Sequence, residues 1–392
     1  GNGHHLWGEY ETAYGQVIQA VVRLEPPLFR SSCKSRRKPS KYSLALVLLF
    51  LNRPEAWQVQ EELPDWALKL LGQQEEKKIP PSTKTNTAAQ QKRLRLMDEG
   101  VQELDKWLGN LARQGLASAA TNPDDWERIA QRMVDCKLGG IGGRIRRAHE
   151  QFTTDGWLDD VAGEVGLLYL FVRAWQRKTD LAPDQKRELL QIAGWTTRKG
   201  DLLHQEGVLD NWLVFGVTTG TEEKLTFRRT WLRGEKTTRF ALILEYVFGN
   251  QGFEQHWIPG SVLRGELVYY PGQPAIRATF KSLVASRDAY EAKPGYTQLA
   301  DLQTAFAQAL RSSPWLLVFP ALLTDVAVVY DATPADFWLI DQGKYRYPLC
   351  NDAAAWKALS LSAGMPISLF GEVDGEHFRA VAALVDGRVI EL

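Results

Sequence analysis

The chain has 392 residues, with 47 Lys and Arg against 47 Asp and Glu, and 44% of it is hydrophobic. That length supports two or three folded domains, and 14 Trp, 15 Phe and 12 Tyr exclude a disordered chain, because burying them offsets the entropy of ordering. Zero net charge excludes a globally basic nucleic-acid protein and confines any polyanion site to a local patch.

The longest apolar run, Leu44 to Leu51, has eight residues, where a bilayer span needs about 18. No membrane span is expected. Cys33, Cys136 and Cys350 are odd in number and scattered, which fits a reducing compartment and a cytoplasmic location better than a disulfide framework. The first five residues lack an initiator Met, a basic stretch and an apolar stretch, and read as a trimmed or appended start.

Residues 6–72 form the first expected unit. Gln16 to Leu24 alternates as a strand, Leu28 to Ser31 is a second short strand, and a basic loop leads to Ser40, a candidate N-cap for a helix from Lys41 to Leu51. Asn52 and Pro54 end that helix. Its run of apolar residues has no polar face, so packing on all sides is expected. Residues 73–86 are rich in Gln, Glu, Lys, Pro, Ser and Thr and read as a linker without a core.

Residues 87–208 are expected to be helical. Leu94, Met97, Val101, Leu104, Leu108 and Leu111 recur at steps of three and four, the seam of one long amphipathic helix. Further helices are expected at Asp124 to Met133, Gly156 to Arg177 and Pro183 to Ala193. The glycine-rich Leu138 to Arg144 lacks the strand before it and the Lys-Ser/Thr after it that a phosphate loop needs, so it reads as a helix break or C-cap. Asp160 and Glu164 read as a solvated helix face.

Residues 209–392 change to a period of two. Trp212 to Phe215, Leu225 to Leu232, Arg239 to Phe248, Leu263 to Tyr270 and Ala275 to Phe280 read as strands of an antiparallel sheet. A helix over Leu299 to Leu310 follows, then strands at Val326 to Tyr330 and Phe337 to Ile340. The tail is a meander of Ile367 to Val373, Phe378 to Val385 and Arg388 to Leu392, joined by Asp-Gly turns. The fold class is therefore α+β: an N-terminal ββα unit, a central helical bundle and a C-terminal antiparallel β-rich domain.

The stretch Arg30-Ser31-Ser32-Cys33-Lys34-Ser35-Arg36-Arg37-Lys38-Pro39-Ser40-Lys41-Tyr42 lies between a strand and an apolar helix. With Leu6-Trp7-Gly8-Glu9 before it, it resembles the finger of the bacterial SWIM zinc-finger family, whose pattern is C-x-C-x(n)-C-x-H in a ββα unit. The resemblance continues through Gly156-Trp157, Gly194-Trp195-Thr196, Arg229-Thr230-Trp231-Leu232, Gly265 to Gly272, Ser313-Pro314-Trp315-Leu316 and Leu369 to Gly375. It implies a finger in which Ser31, Cys33, Ser40 and Tyr42 occupy the four ligand positions. Only Cys33 is a competent zinc donor, since structural zinc takes about four thiolate or imidazole ligands. No cofactor is therefore expected, although the family binds Zn2+. His4 and His5 are near in sequence but outside the pattern. A metal-free unit must be held by Ile18, Ala20, Val22 and Leu24 against the helix, with Tyr42 an interior or edge aromatic.

Arg30, Lys34, Arg36, Arg37, Lys38 and Lys41 make this stretch basic, with no acid among them. They are candidate contacts to a protein partner or, alternatively, to DNA phosphates. Elsewhere Glu245, Glu266, Arg229 and Arg277 sit in strand text, where a structural ion pair is the simpler reading and a polar groove the other. The six His show no metalloenzyme spacing and no G-x-S-x-G is present, so no hydrolase or metalloenzyme is expected, and the resemblance to the SWIM family implies a non-enzymatic adaptor. The resemblance offers MoxR-type AAA+ ATPases and von Willebrand A-domain proteins as partners.

Overall fold

In a computed structural model the described residues are all except 3, 13, 25, 26, 36–38, 73–86, 121, 155, 223, 224, 250, 254, 286–289, 291, 292, 317, 334 and 351. The proposed linker and Arg36, Arg37 and Lys38 therefore lie outside them. The fold class is α+β, with antiparallel sheets at both ends of the chain and helices between them.

The N-terminal unit is a three-stranded meander, β1 (His5–Glu11), β2 (Val17–Arg23) and β3 (Leu28–Ser31), covered by α1 (Lys41–Asn52) and α2 (Asp65–Gly72). β1 escapes the sequence reading because His5-Leu6-Trp7-Gly8-Glu9-Tyr10-Glu11 places a glycine and three charged or polar residues in a short strand. Its partner supplies the order: Leu6 faces Val22 and Gly8 faces Ala20. Ile18, Ala20 and Val22 are buried as expected, and Val21, on the opposite face, packs with Ala67 and Leu70 of α2.

The helical region comprises α3 (Thr87–Gln114), the one-turn α4 (Leu116–Ala119), α5 (Pro123–Asp135), α6 (Gly139–Glu150), α7 (Trp157–Gln176), α8 (Pro183–Ile192) and the short α9 (Lys199–Leu202). The three-and-four seam of α3 holds: Met97, Val101, Leu104, Leu108 and Leu111 are all buried, against Trp126, Met133, Phe171 and Trp175. The glycine-rich run is not a break or cap but the first turns of α6. Lys137, at φ 66°, turns the chain instead. A Cβ on Gly140 would stand 2.1 Å from the Ile192 carbonyl oxygen, and one on Gly142 would stand 2.8 Å from that of Ala130. The glycines thus let α6 lie backbone to backbone against its neighbours. Glu164 is likewise no solvated acid, since it pairs at 3.0 Å with the buried Arg144.

The next five strands, β4 (Val208–Glu222), β5 (Leu225–Gly234), β6 (Phe240–Phe248), β7 (Val262–Tyr269) and β8 (Arg277–Ala285), close into a barrel of order β4-β5-β6-β8-β7. β6 and β8 run parallel, and every other neighbouring pair is antiparallel. This is the connectivity of the five-stranded Greek-key barrel called the OB-fold. Alternation divides β4 between two cores: Trp212 and Val214 point inward, while Leu213 and Phe215 point outward.

The outward face meets a six-stranded sheet of order β11-β10-β9-β12-β13-β14. Its strands are β9 (Phe319–Ala332), β10 (Ala335–Ile340), β11 (Arg346–Leu349), β12 (Ile367–Val373), β13 (Phe378–Val385) and β14 (Arg388–Glu391), with α10 (Leu299–Ser312) and α11 (Ala353–Ser362) packed on the sheet. Phe215, Trp231, Phe370 and Val381 form the seam between barrel and sheet, and the Trp231 indole donates to Glu372 at 2.6 Å. Ser313 and Trp315 reach into the helical bundle. Trp315 donates to the Leu167 carbonyl at 3.2 Å, Arg144 donates to the Trp315 carbonyl at 3.4 Å, and Ser313 donates to Glu188. Among the described residues no helix is long and apolar enough to cross a membrane.

Candidate functional site

The end of β3 and the start of α1 lie side by side, and this brings three of the four finger positions together. Ser31 Oγ donates to Ser40 Oγ at 2.9 Å and stands 3.1 Å from Cys33 Sγ. Ser40 Oγ lies 3.0 Å from Ser43 Oγ, and Ser43 Oγ donates to the Ser40 carbonyl at 2.9 Å. The protons can be counted along one direction. The Cys33 thiol donates to Ser31, Ser31 to Ser40, Ser40 to Ser43, and Ser43 to a backbone oxygen. In this direction each hydroxyl or thiol hydrogen has an acceptor.

Two local features hold it in place. Ser40 is the N-cap of α1 and accepts the Ser43 N–H at 3.2 Å, which satisfies one of the donors a helix start leaves open. On the other side Ser32 is tied to the edge of β2: the Gln19 N–H donates to Ser32 Oγ at 2.9 Å, and the Ser32 N–H donates to the Gln19 carbonyl at 2.8 Å.

Zinc does not fit this donor set. A closed tetrahedral site asks for about four sulfur or nitrogen donors, whereas here one thiol meets hydroxyl oxygens already engaged with each other. Among the described residues no three His, Cys, Asp or Glu are grouped so as to hold a metal, and His4 and His5 join no such group. His5 lies in β1, where burial, and then the charges of Arg23 and His4, lower its pKa. The fourth position, Tyr42, is half-buried with its ring 5.3 Å from that of Tyr10 and the Lys41 ammonium 5.0 Å above it. It is an edge aromatic.

The basic residues divide. Lys34 and Lys41 are exposed, while Arg30 sits within β3 at 8% exposure, so its charge is removed from the surface that Lys34 and Lys41 present. The expectation for α1 fails more instructively. Only Ser43 is fully buried: one side of the helix meets the three-stranded sheet, and among the described residues the other side is left largely exposed. Leu44, Leu48 and Leu51 fall on one stripe, with Leu48 58% and Leu51 68% exposed, and Leu49 stands beside them. Next to this stripe a cavity of about 400 Å³ is lined by Trp7, Leu46, Leu49, Arg53 and Trp57. A run of leucines with no polar face cannot reveal which side the fold leaves open, which is why the sequence gives no sign of it.

The four polar strand residues do not converge. Glu245 pairs with the buried Arg228 at 2.6 Å and accepts the Trp257 indole N–H at 2.8 Å. Glu266 pairs with Lys281 at 3.0 Å, and that lysine, followed by the Gly207 N–H, holds its carboxyl below the usual range despite a smaller opposing effect of burial. Arg229 lies 3.7 Å from Glu372, and Arg277 stacks 4.5 Å over Tyr270. Arg228 is the partner that sequence reasoning missed. It follows from register, since Arg228 stands opposite Glu245 across β5 and β6.

Residues 92–193 match the family described as the SWIM-associated four-helix bundle domain. The match covers α3, but for its first residues, and α4 to α8. No curated protein and no solved structure matches the chain.

Proposed function

We propose that the protein is a non-enzymatic adaptor of the SWIM type, whose finger is metal-free and whose α1 face docks a protein partner. The bundle matched by the SWIM-associated domain supports the family setting. The observation that carries the docking role is the exposed stripe of Leu44, Leu48, Leu49 and Leu51 on the helix that follows the finger. Contiguous apolar surface of this kind marks interaction sites on folded proteins. Lys41 at one end of α1 and Arg53 at the other are exposed, which favours a partner presenting an apolar strip flanked by acidic side chains. MoxR-type AAA+ ATPases and von Willebrand A-domain proteins are the candidates to be tested.

The alternative, DNA binding through residues 30–41, is weakened by the burial of Arg30. A titration of the purified candidate partner against the wild type and Leu48→Glu/Leu51→Glu, at low and high salt, separates the two. The adaptor reading expects binding that survives high salt and is lost in the double variant. Unchanged partner binding by the variant, together with DNA binding that falls steeply with salt, would reverse the preference.

A further inference from the structure

A second cavity, far from the finger in sequence, opens where the barrel meets the C-terminal sheet. It measures about 510 Å³, within the range of small-molecule sites, and has apolar walls from Phe240, Ile276, Phe319 and Leu322. Pro274, Pro294 and Pro320 also line it. Proline has no N–H, so these stretches of wall offer no backbone donor. Two cations line the cavity: Arg233, at 5% exposure, and Arg239, which is exposed.

Arg233 is unusual in its partners. Its two terminal nitrogens donate to the carbonyls of Lys293 at 2.6 Å and Pro294 at 3.1 Å, and its Nε has no hydrogen-bond partner. Among the described residues no carboxylate pairs with it. Among the described residues, Asp210 and Glu235 of this corner are engaged elsewhere. Asp210 accepts the N–H groups of Asn211 at 2.8 Å, Lys236 at 3.1 Å and Thr237 at 2.9 Å, and Glu235 accepts from the Asn211 side chain at 2.9 Å. Burial lowers the Arg233 pKa, and burial raises those of the neighbouring Tyr290, to about 12, and Tyr296, so near neutrality neither phenol carries a charge to balance the guanidinium. A guanidinium has five N–H donors and stays charged near neutrality. Arg233 therefore presents a buried positive charge, with donors to spare, on the wall of a cavity of mixed lining, apolar at Phe240, Ile276, Phe319 and Leu322 and polar at Thr238, Arg239 and Tyr296.

We propose that this cavity binds a carboxylate carried on an apolar body, with Arg233 as the anchoring cation and Arg239 at the mouth. The apolar part of the wall takes the body, and the guanidinium selects the anion over its neutral isostere, because a charge-assisted hydrogen bond to a cation at 5% exposure is stronger than a neutral one. A free aromatic or aliphatic acid and the terminal carboxylate of a polypeptide share this chemistry. The site is independent of the α1 surface.

Calorimetric titration of the full chain with 3-phenylpropionate, with 3-phenylpropionamide and with an acetylated alanyl-prolyl-phenylalanine acid tests it. The expected result is saturable one-to-one binding of 3-phenylpropionate with a dissociation constant at or below about 1 mM, at least tenfold weaker binding of the amide, and loss of the difference in Arg233→Gln. Displacement of 3-phenylpropionate by the peptide identifies a chain terminus as a source, and its absence restricts the site to small acids. Because Arg233 also ties down the backbone at 293 and 294, Ala275→Trp provides a variant that fills the cavity and leaves the guanidinium in place, and it too should abolish binding. Equal affinity for acid and amide, no saturable binding of the acid, or binding unchanged in Ala275→Trp would each overturn the proposal.

Discussion

The corner at Cys33 and the helical bundle, of which only the bundle lies within the matched residues 92–193, are stabilised in different ways. The bundle buries Trp126, Phe171, Met97, Leu104 and Met133 almost completely in one continuous core. The finger corner is joined by a chain of four small polar side chains, Cys33, Ser31, Ser40 and Ser43, and the helix beside it leaves leucines in water. Apolar packing tolerates change at its rim and is severe at its centre. A hydrogen-bonded corner is cheap to form, and each member matters only modestly. A strand-to-helix corner can thus be held by side chains that each hydrogen-bond to the next, without a continuous apolar core.

The largest expected effect lies in the bundle. Trp126, at 1% exposure, should cost about 3–5 kcal/mol when replaced by Ala, read from chemical denaturation. A loss below about 1 kcal/mol would remove the contrast with the finger. Gly140→Ala comes next: its Cβ would meet a backbone oxygen rather than a flexible side chain, so a destabilisation of about 1–3 kcal/mol is expected. If Gly140→Ala unfolds no earlier than wild type, α6 does not pack as closely as described.

In the finger, Ser40→Ala removes the N-cap and the middle of the hydroxyl chain, with an expected loss of about 1–2 kcal/mol. Pairing it with Ser31→Ala in a double-mutant cycle should give a favourable coupling. Additivity would show that the two hydroxyls do not communicate. Cys33→Ser keeps a donor at the head of the chain and should cost about 1 kcal/mol or less, and a chelator should leave the melting temperature of the unit where it was. Stoichiometric zinc whose removal unfolds the unit would break the comparison outright.

The smallest effect is tied to pH. Burial raises the Glu188 pKa above its ordinary 4.5, with the Ser313 hydroxyl opposing in part. The folded protein thus holds this proton more tightly than the unfolded chain does. Stability falls as pH climbs through 4.5 toward the raised value, and the loss is complete above it. Glu188→Gln should accordingly raise the melting temperature at neutral pH more than at acid pH, and an equal shift at both would refute the assignment.

The helical half of the fold was legible because its signal is local. The α3 seam lies within one segment, and its period survives in the structure. The barrel was legible as strands and not as a barrel, since closure depends on Leu242 meeting Arg277 and Ile243 meeting Ala278 in a parallel pairing that no turn announces. α11 was missed although Asp352 accepts from the N–H groups of Ala354 and Ala355 as its cap, because Ala353-Ala354-Ala355 offers no polar stripe to set a period. At the corner, the resemblance implied Ser31, Cys33, Ser40 and Tyr42 as the four positions of a finger, and the residue types there offered a single thiol. That the three serines would bond to one another could not be read, because hydroxyl direction is decided only when β3 and α1 are brought together.

The indole of Trp315 also bears on the order of assembly. It packs against the helical core and bonds to a carbonyl 148 positions earlier in the chain. During synthesis the helices from α3 to α8 leave the ribosome while that indole and the acceptor it supplies to Arg144 have not yet been made. The early bundle must wait with an open notch, its buried arginine relying on Glu164 alone. Completion of the barrel and the arrival of Ser313 and Trp315 close the notch, so the bundle becomes fully native only after most of the C-terminal half has been translated.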